Sequence, residues 1–180
     1  MSDNKDAHLR EVTVASEQVW QGRFLDVRLD TVALPDGAQA TREYIVHNGA
    51  VVVVPILDDG RLVMERQYRY PMGRVMLEFP AGKIDGDEAP FVCGVRELEE
   101  ETGYVAREWA RAGLLHNAIA YSNERIEIWF ARGLTAGERR LGPDRLHGHD
   151  HHRERNRRAE RARGPDRRPQ RLARSDPRAH

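Results

Sequence analysis

The chain moves between two hydrophobic rhythms. Val12–Ala15 and Phe24–Leu34 are rich in apolar and β-favouring residues, and Pro35-Asp36-Gly37 after them is turn chemistry. Ala40–His47 reads as a returning strand, so a hairpin is predicted within residues 11–47. Asn48-Gly49 predicts a second turn. Ala50–Leu57 is a near-continuous apolar run, the mark of a strand buried on both faces. Asp58-Asp59-Gly60 then turns the chain into a strand over Arg61–Tyr68, and Leu77–Pro80 is a short strand feeding a loop over Ala81–Glu88. From Ala89 to Thr102 the period lengthens. Phe91, Val95, Leu98 and Thr102 fall on one stripe of a helix, which Gly103 would end. Trp109–Leu115 and Arg125–Ala131 are further strands. Strands on both sides of a helix predict an α/β domain with a mixed sheet.

After Leu141 both rhythms stop. Residues 142–180 contain no Val, Ile, Met, Phe, Tyr or Trp, and Leu146 and Leu172 are their only large apolar side chains. Such a segment cannot bury enough surface to offset its ordering entropy, so a domain over 1–141 and a disordered Arg/His/Pro-rich tail over 142–180 are expected. Charge divides at the same place. The formal net charge is zero, but residues 1–141 hold 17 Lys and Arg against 23 Asp and Glu, and the tail holds 12 against 6. Three readings of the tail stand side by side. A reading-frame shift near residues 139–145 is favoured, because out-of-frame codons of a G+C-rich gene give this vocabulary of Arg, Pro, Gly, Ala and His. A native basic tail could touch nucleic acid or anionic partners. The tract His147, His149, His151, His152 could hold Zn²⁺ or Ni²⁺.

Composition excludes several classes of protein. The single cysteine, Cys93, rules out an internal disulfide and suits a reducing compartment; inside a helix it reads as a small hydrophobe. Met1–Arg10 is polar, without the apolar core of a signal peptide, and Ala50–Leu57 is far too short to span a bilayer. A cytoplasmic protein without membrane contact is expected.

The chemistry concentrates on the helix. Glu97, Glu100 and Glu101 lie three and four residues apart and share one face, where like charges repel by a few tenths of a kcal/mol per pair. That face is expected to lie opposite the Phe91/Val95/Leu98 stripe and so to point away from the core. A divalent cation would convert the repulsion into binding, since Mg²⁺ and Mn²⁺ favour oxygen ligands. Gly82 and Gly86 in the preceding loop would let backbone carbonyls approach the same ion. A bare acidic run would be an ordinary solvated helix face. Here the run is part of a longer pattern of Gly82, Glu88, Arg96-Glu97-Leu98, Glu100-Glu101 and Gly103-Tyr104. Seven fixed residues and two apolar positions match by chance on the order of 10⁻⁹ per start position at average residue frequencies, so the functional reading prevails.

The segment Gly82–Tyr104 resembles the signature of the Nudix hydrolases at every position, and the resemblance runs from about Glu17 to Leu141. It implies an α/β/α sandwich with a mixed sheet, in which a loop–helix–loop holds divalent metal (Mg²⁺, with Mn²⁺ able to substitute) against a diphosphate. By position, Glu97, Glu101 and the carbonyl of Ala81 resemble the metal ligands, and Glu100 a further ligand or a water-orienting residue. These three glutamates are the implied catalytic residues, and Arg96 with Glu88 resembles a structural ion pair. The stretches Val63–Arg69 and Leu77–Gly82 resemble the nucleoside-diphosphate-sugar branch, especially ADP-ribose pyrophosphatases. There Arg42 and Arg69 match positions that grip the substrate, and Glu78, just before the loop, is a further candidate substrate-binding residue. The implied reaction is hydrolysis of ADP-ribose to AMP and ribose 5-phosphate. Where the branch commonly carries a proline after the box, this chain has Ala118 and Ile119, so GDP-mannose or a related nucleotide sugar stays open. The branch also implies a homodimer formed through the N-terminal strands. An out-of-frame tail would remove part of the domain, leaving a weak or inactive nucleotide-binding module as the alternative.

Overall fold

The computed structural model describes residues 5–137. The expectations for residues 142–180, including the frame shift, the disordered tail and the histidine tract, lie outside the described residues. So does any second helical layer beyond residue 137.

Three antiparallel strands come first: β1 (Val12–Gln21), β2 (Asp26–Ala33) and β3 (Gln39–Val46), in the order β1-β2-β3. The turn between β2 and β3 forms where its residues predict it. Gly37 takes a φ of 87° and the Asp36 carboxylate accepts the Ala38 N–H at 3.0 Å. β1 runs past the predicted Val12–Ala15 through Trp20, because β2 supplies a partner along its whole length. β4 (Ala50–Pro55) starts the second sheet. A separate antiparallel hairpin of β5 (Glu65–Arg69) and β6 (Arg74–Glu78) follows, then β7 (Ala81–Lys83), α1 (Pro90–Thr102), β8 (Tyr104–His116) and β9 (Arg125–Ala136). The second sheet has the order β7-β4-β9-β8, with β4 parallel to β9 and the other pairs antiparallel. The predicted mixed α/β sheet is therefore present.

Two local expectations shift. Ala81–Lys83 pairs with β4 and is a strand, although the sequence read there as loop. The strand expected over Arg61–Tyr68 begins only at Glu65.

The larger correction concerns α1. Its buried residues are Cys93, Gly94, Glu97, Leu98 and Glu101, while Phe91 and Val92 stay largely exposed. At 3.6 residues per turn, the buried face is rotated by about 100° from the predicted Phe91/Val95/Leu98/Thr102 stripe. Of the three glutamates expected to point away from the core, Glu97 and Glu101 sit at the middle of the buried face, and Glu100 stays partly exposed at its edge. Small side chains explain the rotation. A Cβ added at Gly94 would lie 3.1 Å from Val51 Cγ1 and 3.4 Å from Val53 Cγ2, so the helix backbone rests directly on β4. Val51, Val53, Ile84, Cys93, Leu98 and Ala131 form the core, with Trp109 and Trp129 packed against it. The Phe91 ring meets Trp109 edge-on at 5.4 Å and Trp129 at 5.1 Å, which anchors the rim of the stripe. Burying a side chain such as Leu98 stabilises the fold by about 1.5–3 kcal/mol. β4 is fully covered only on the Val51/Val53 side; Val52 and Val54 are half-buried.

Candidate active site

Gly103 ends α1 in the left-handed region (φ 74°), donating its N–H to the Glu99 carbonyl at 2.8 Å. At the other end, Pro90 occupies the first turn, where its missing N–H costs nothing. Between these stops the helix presents Glu97 and Glu101 to β7. Glu101 accepts the Ala81 N–H at 2.9 Å. Glu97 is packed on Gly82 so closely that a Cβ there would overlap its carboxyl group. Gly82 is thus needed for space, whereas Gly86 (φ 51°, open surroundings) is needed for its turn.

One cation is built into this cluster. Arg96 donates from Nε and Nη2 to the two oxygens of Glu88 at 3.0 and 2.9 Å. Its Nη1 reaches Glu97 at 2.8 Å and Glu100 at 3.4 Å. The paired guanidinium holds the Glu88 carboxyl below its ordinary range, and the carboxylates raise Arg96 in turn, Glu88 foremost. The ion pair fixes the end of the Asp85–Glu88 turn to the helix. Cys93 contributes no acid–base chemistry. Its thiol is buried, lies 3.4 Å from the Lys83 carbonyl and is pushed up to about 12, first of all by burial.

The sequence-derived residues separate into three places. Glu97, Glu100, Glu101 and Ala81 come together where α1 meets β7. Arg69 and Glu78 stand at opposite ends of the β5–β6 register, and their long side chains meet along the hairpin, with Nε–Oε1 2.9 Å and Nη2–Oε2 2.5 Å. The hydrogen bonds it donates to Glu78 chiefly raise Arg69, with lesser attraction from Glu65 and Glu101. Arg42 lies on β3 and is paired with Glu11 at 2.9 Å, within the first sheet. Glu65 escaped the sequence reading. It is 2% exposed, opposite Glu78 in the hairpin register, and a carboxylate inside the predicted strand Arg61–Tyr68 is its only signal.

The donors at α1 and β7 are all oxygens, carboxylate and carbonyl, which is the set a hard divalent cation takes. Glu97 is 1% and Glu101 4% exposed, and charged carboxylates at such depth need a cation or hydrogen-bond donors to stay there. Among the described residues, no three carboxylate, imidazole or thiol groups already converge on one point, since Glu97 is turned to Arg96. The oxygen donors fit a divalent ion in chemistry, while Glu97 and Glu100 are held by Arg96 in this geometry.

Comparison with known proteins gives a consistent result. Residues 46–157 match the NUDIX domain, and residues 11–45 match the nucleoside diphosphate sugar hydrolase N-terminal domain. The first match reaches beyond Leu141, where the apolar pattern stops. The chain is 36% identical over 130 residues to the ADP-ribose pyrophosphatase of Bacillus subtilis, covering 72% of this chain and 70% of that one. It is 37% identical over 134 residues to the methanol dehydrogenase activator of Bacillus methanolicus, covering 74% and 72%. Among solved structures, an ADP compounds hydrolase superposes with a TM-score of 0.68 at 28% identity, covering 75% of this chain and 74% of that one.

Proposed function

Because the chain belongs to the Nudix hydrolases, in the branch of ADP-ribose and ADP-sugar pyrophosphatases, we propose that it hydrolyses the diphosphate of ADP-ribose with Mg²⁺ as cofactor. Water adds across the P–O–P linkage, giving AMP and ribose 5-phosphate. The observation that carries this reading is the pair of buried glutamates, Glu97 and Glu101, held against β7 beside Ala81 and Gly82. Glu97, Glu100, Glu101 and the Ala81 carbonyl would hold the metal, which supplies charge neutralisation at the diphosphate oxygens and acidifies a water.

The remaining work falls to the protein's own groups. Glu100, 31% exposed, faces the open side of the cluster and would orient water or complete the ligand set. Arg69 offers a planar fork suited to phosphate oxygens, and Glu78 sets its direction. Arg42 would reach a substrate only if the first sheet stands over a catalytic cluster. The exposed β1 is the natural surface for a second copy of the chain, which supports a homodimer. No helix of the described residues is long and apolar enough to cross a membrane, and the reading places the enzyme in the cytoplasm.

The test is a screen of ADP-ribose, GDP-mannose and nucleoside triphosphates, with Mg²⁺, Mn²⁺ or EDTA and identification of both products. ADP-ribose should be cleaved best, and EDTA should stop the reaction. A tenfold preference in kcat/KM for GDP-mannose would move the substrate within the branch. The same preference for a triphosphate would overturn the reading.

A further inference from the structure

One buried histidine plays no part in the site as described so far, yet it is wired to it. His47 leaves β3 toward β4, and its side chain is only 10% exposed. Its backbone N–H donates to Asn123 Oδ1 at 2.7 Å, beside the Ile45–Ser122 bridge that joins β3 to the β8–β9 loop. Its Nδ1 accepts the Gly49 N–H at 3.0 Å. A ring nitrogen that accepts carries no proton, so the ring proton of the neutral imidazole sits on Nε2. That nitrogen faces Glu124 Oε1 at 3.7 Å, and the other oxygen of Glu124 is held by Asn117 Nδ2 at 3.0 Å.

Gly49 passes the constraint onward. Its carbonyl accepts the N–H of Ile84 at 3.1 Å, and Ile84 is the first residue after β7. No other residue suits position 49. Its φ is 102°, and a Cβ would press on the Arg125 carbonyl at 3.3 Å. Beyond the β4–β7 pairing and the packing of Ile84 in the core, the loop that follows Ala81 and Gly82 is tied at Glu88 by Arg96 and at Ile84 by Gly49, whose N–H is held by His47.

We propose that His47 is a positioning residue for catalysis, acting through Gly49 and Ile84 to fix the strand end that carries the Ala81 carbonyl and the seat of Glu97 on Gly82. The inference rests on the reading of β7 and α1 as the metal-bearing site. A largely buried polar residue placed only for folding would need any partner; this one turns its acceptor nitrogen onto the glycine whose carbonyl takes the Ile84 N–H. The same contacts join the first sheet to the second, so the position of β3 and of the Asn117–Glu124 loop is felt at the site.

The test compares His47→Asn, His47→Gln and His47→Ala in the full chain. Asn places an oxygen close to the Nδ1 position and can still accept the Gly49 N–H, whereas Gln reaches toward Glu124 and leaves Gly49 without its acceptor. Two readouts are taken: kcat and KM for ADP-ribose with Mg²⁺, and amide hydrogen exchange at Ile84 without metal or substrate. The Gln and Ala variants should lose about tenfold or more in kcat at near-constant KM, with Ile84 exchanging at least about tenfold faster. The Asn variant should restore both. Unchanged Ile84 exchange in the Gln variant overturns the proposal, as does a kcat loss in the Asn variant equal to that in the Ala variant. If the Ala variant does not fold, the Asn and Gln pair decides. A wild-type chain inert toward every nucleotide sugar would instead overturn the substrate reading, and Ile84 exchange would still decide whether His47 anchors the loop.

Discussion

In the four-stranded sheet, Val51 and Val53 lie beneath α1 with no exposure to solvent, whereas in the three-stranded sheet all ten residues of β1 are exposed, including Val12, Val14, Val19 and Trp20. Both sheets contain a strand pair of unbroken register, β2–β3 in one and β4–β9 in the other, built from β-favouring residues. They differ in what faces them. The second sheet receives a helix whose Cys93 and Gly94 allow close approach. The first touches the rest of the described chain at few points: the Ile45–Ser122 bridge, the His47 contacts and Lys83 over the Phe24 ring at 4.2 Å. Strand sequence thus sets pairing, and packing must come from a second layer. For the first sheet, that layer is proposed to be another copy of the chain.

The sharpest contrast is expected in turnover. Glu97→Gln removes a charged ligand at the helix and should lower kcat by several kcal/mol of transition-state stabilisation, roughly 10²- to 10⁴-fold. The fold should persist by circular dichroism. Arg42→Ala, in the first sheet, should cost about tenfold and mainly in KM if Arg42 grips the substrate's phosphates in the proposed dimer. Steady-state kinetics on both variants checks this. A Glu97→Gln variant with near-normal kcat at saturating Mg²⁺ would remove the distinction.

Stability should divide the same way. Leu98→Ala opens a cavity under α1 and should cost about 2–5 kcal/mol in urea denaturation. Trp20→Ser should change the stability of a dilute monomer by less than about 1 kcal/mol. It should also shift the monomer–dimer balance toward monomer in light scattering. If Trp20→Ser were as costly as Leu98→Ala at every protein concentration, β1 would have a core of its own and the contrast would fail.

The smallest effect is acid lability. Arg96 lowers the Glu88 carboxyl, so the stability this pair adds is fully present above the ordinary glutamate range and lost as pH falls through the lowered value. Glu88→Gln should flatten the low-pH limb of the melting temperature between about pH 6 and 3. Glu11 is lowered by Arg42 too, but that pair is open to solvent and screened by salt, so Glu11→Gln should leave the limb unchanged. Melting scans at low and high salt separate the two.

Much of the molecule could be read from local sequence. The Asp36-Gly37 turn, the stop at Gly103, the Arg96–Glu88 pair and the clustering of Glu97, Glu100 and Glu101 depend on residues close along the chain, where spacing fixes geometry. The Arg69–Glu78 pair is half legible: the sequence points to both residues, but they are not partners in the β5–β6 register, and only the side-chain contacts of the folded hairpin show that they hold each other. Which side of α1 is buried could not be read, because apolar periodicity presumes that only apolar residues go inside. Gly94 against Val51 and Gly82 against Glu97 overrule it, and both contacts join elements separate in sequence. β7 is a strand only because the edge of β4 is there to pair with it. In the sequence His47 is only the last residue of the returning strand; the fold sets its Nδ1 on the Gly49 N–H and brings Glu124 to its Nε2. The sequence determined the chemistry carried by neighbouring residues; the tertiary structure alone decided what each is packed against, since burial is set by surfaces that chain order does not bring together.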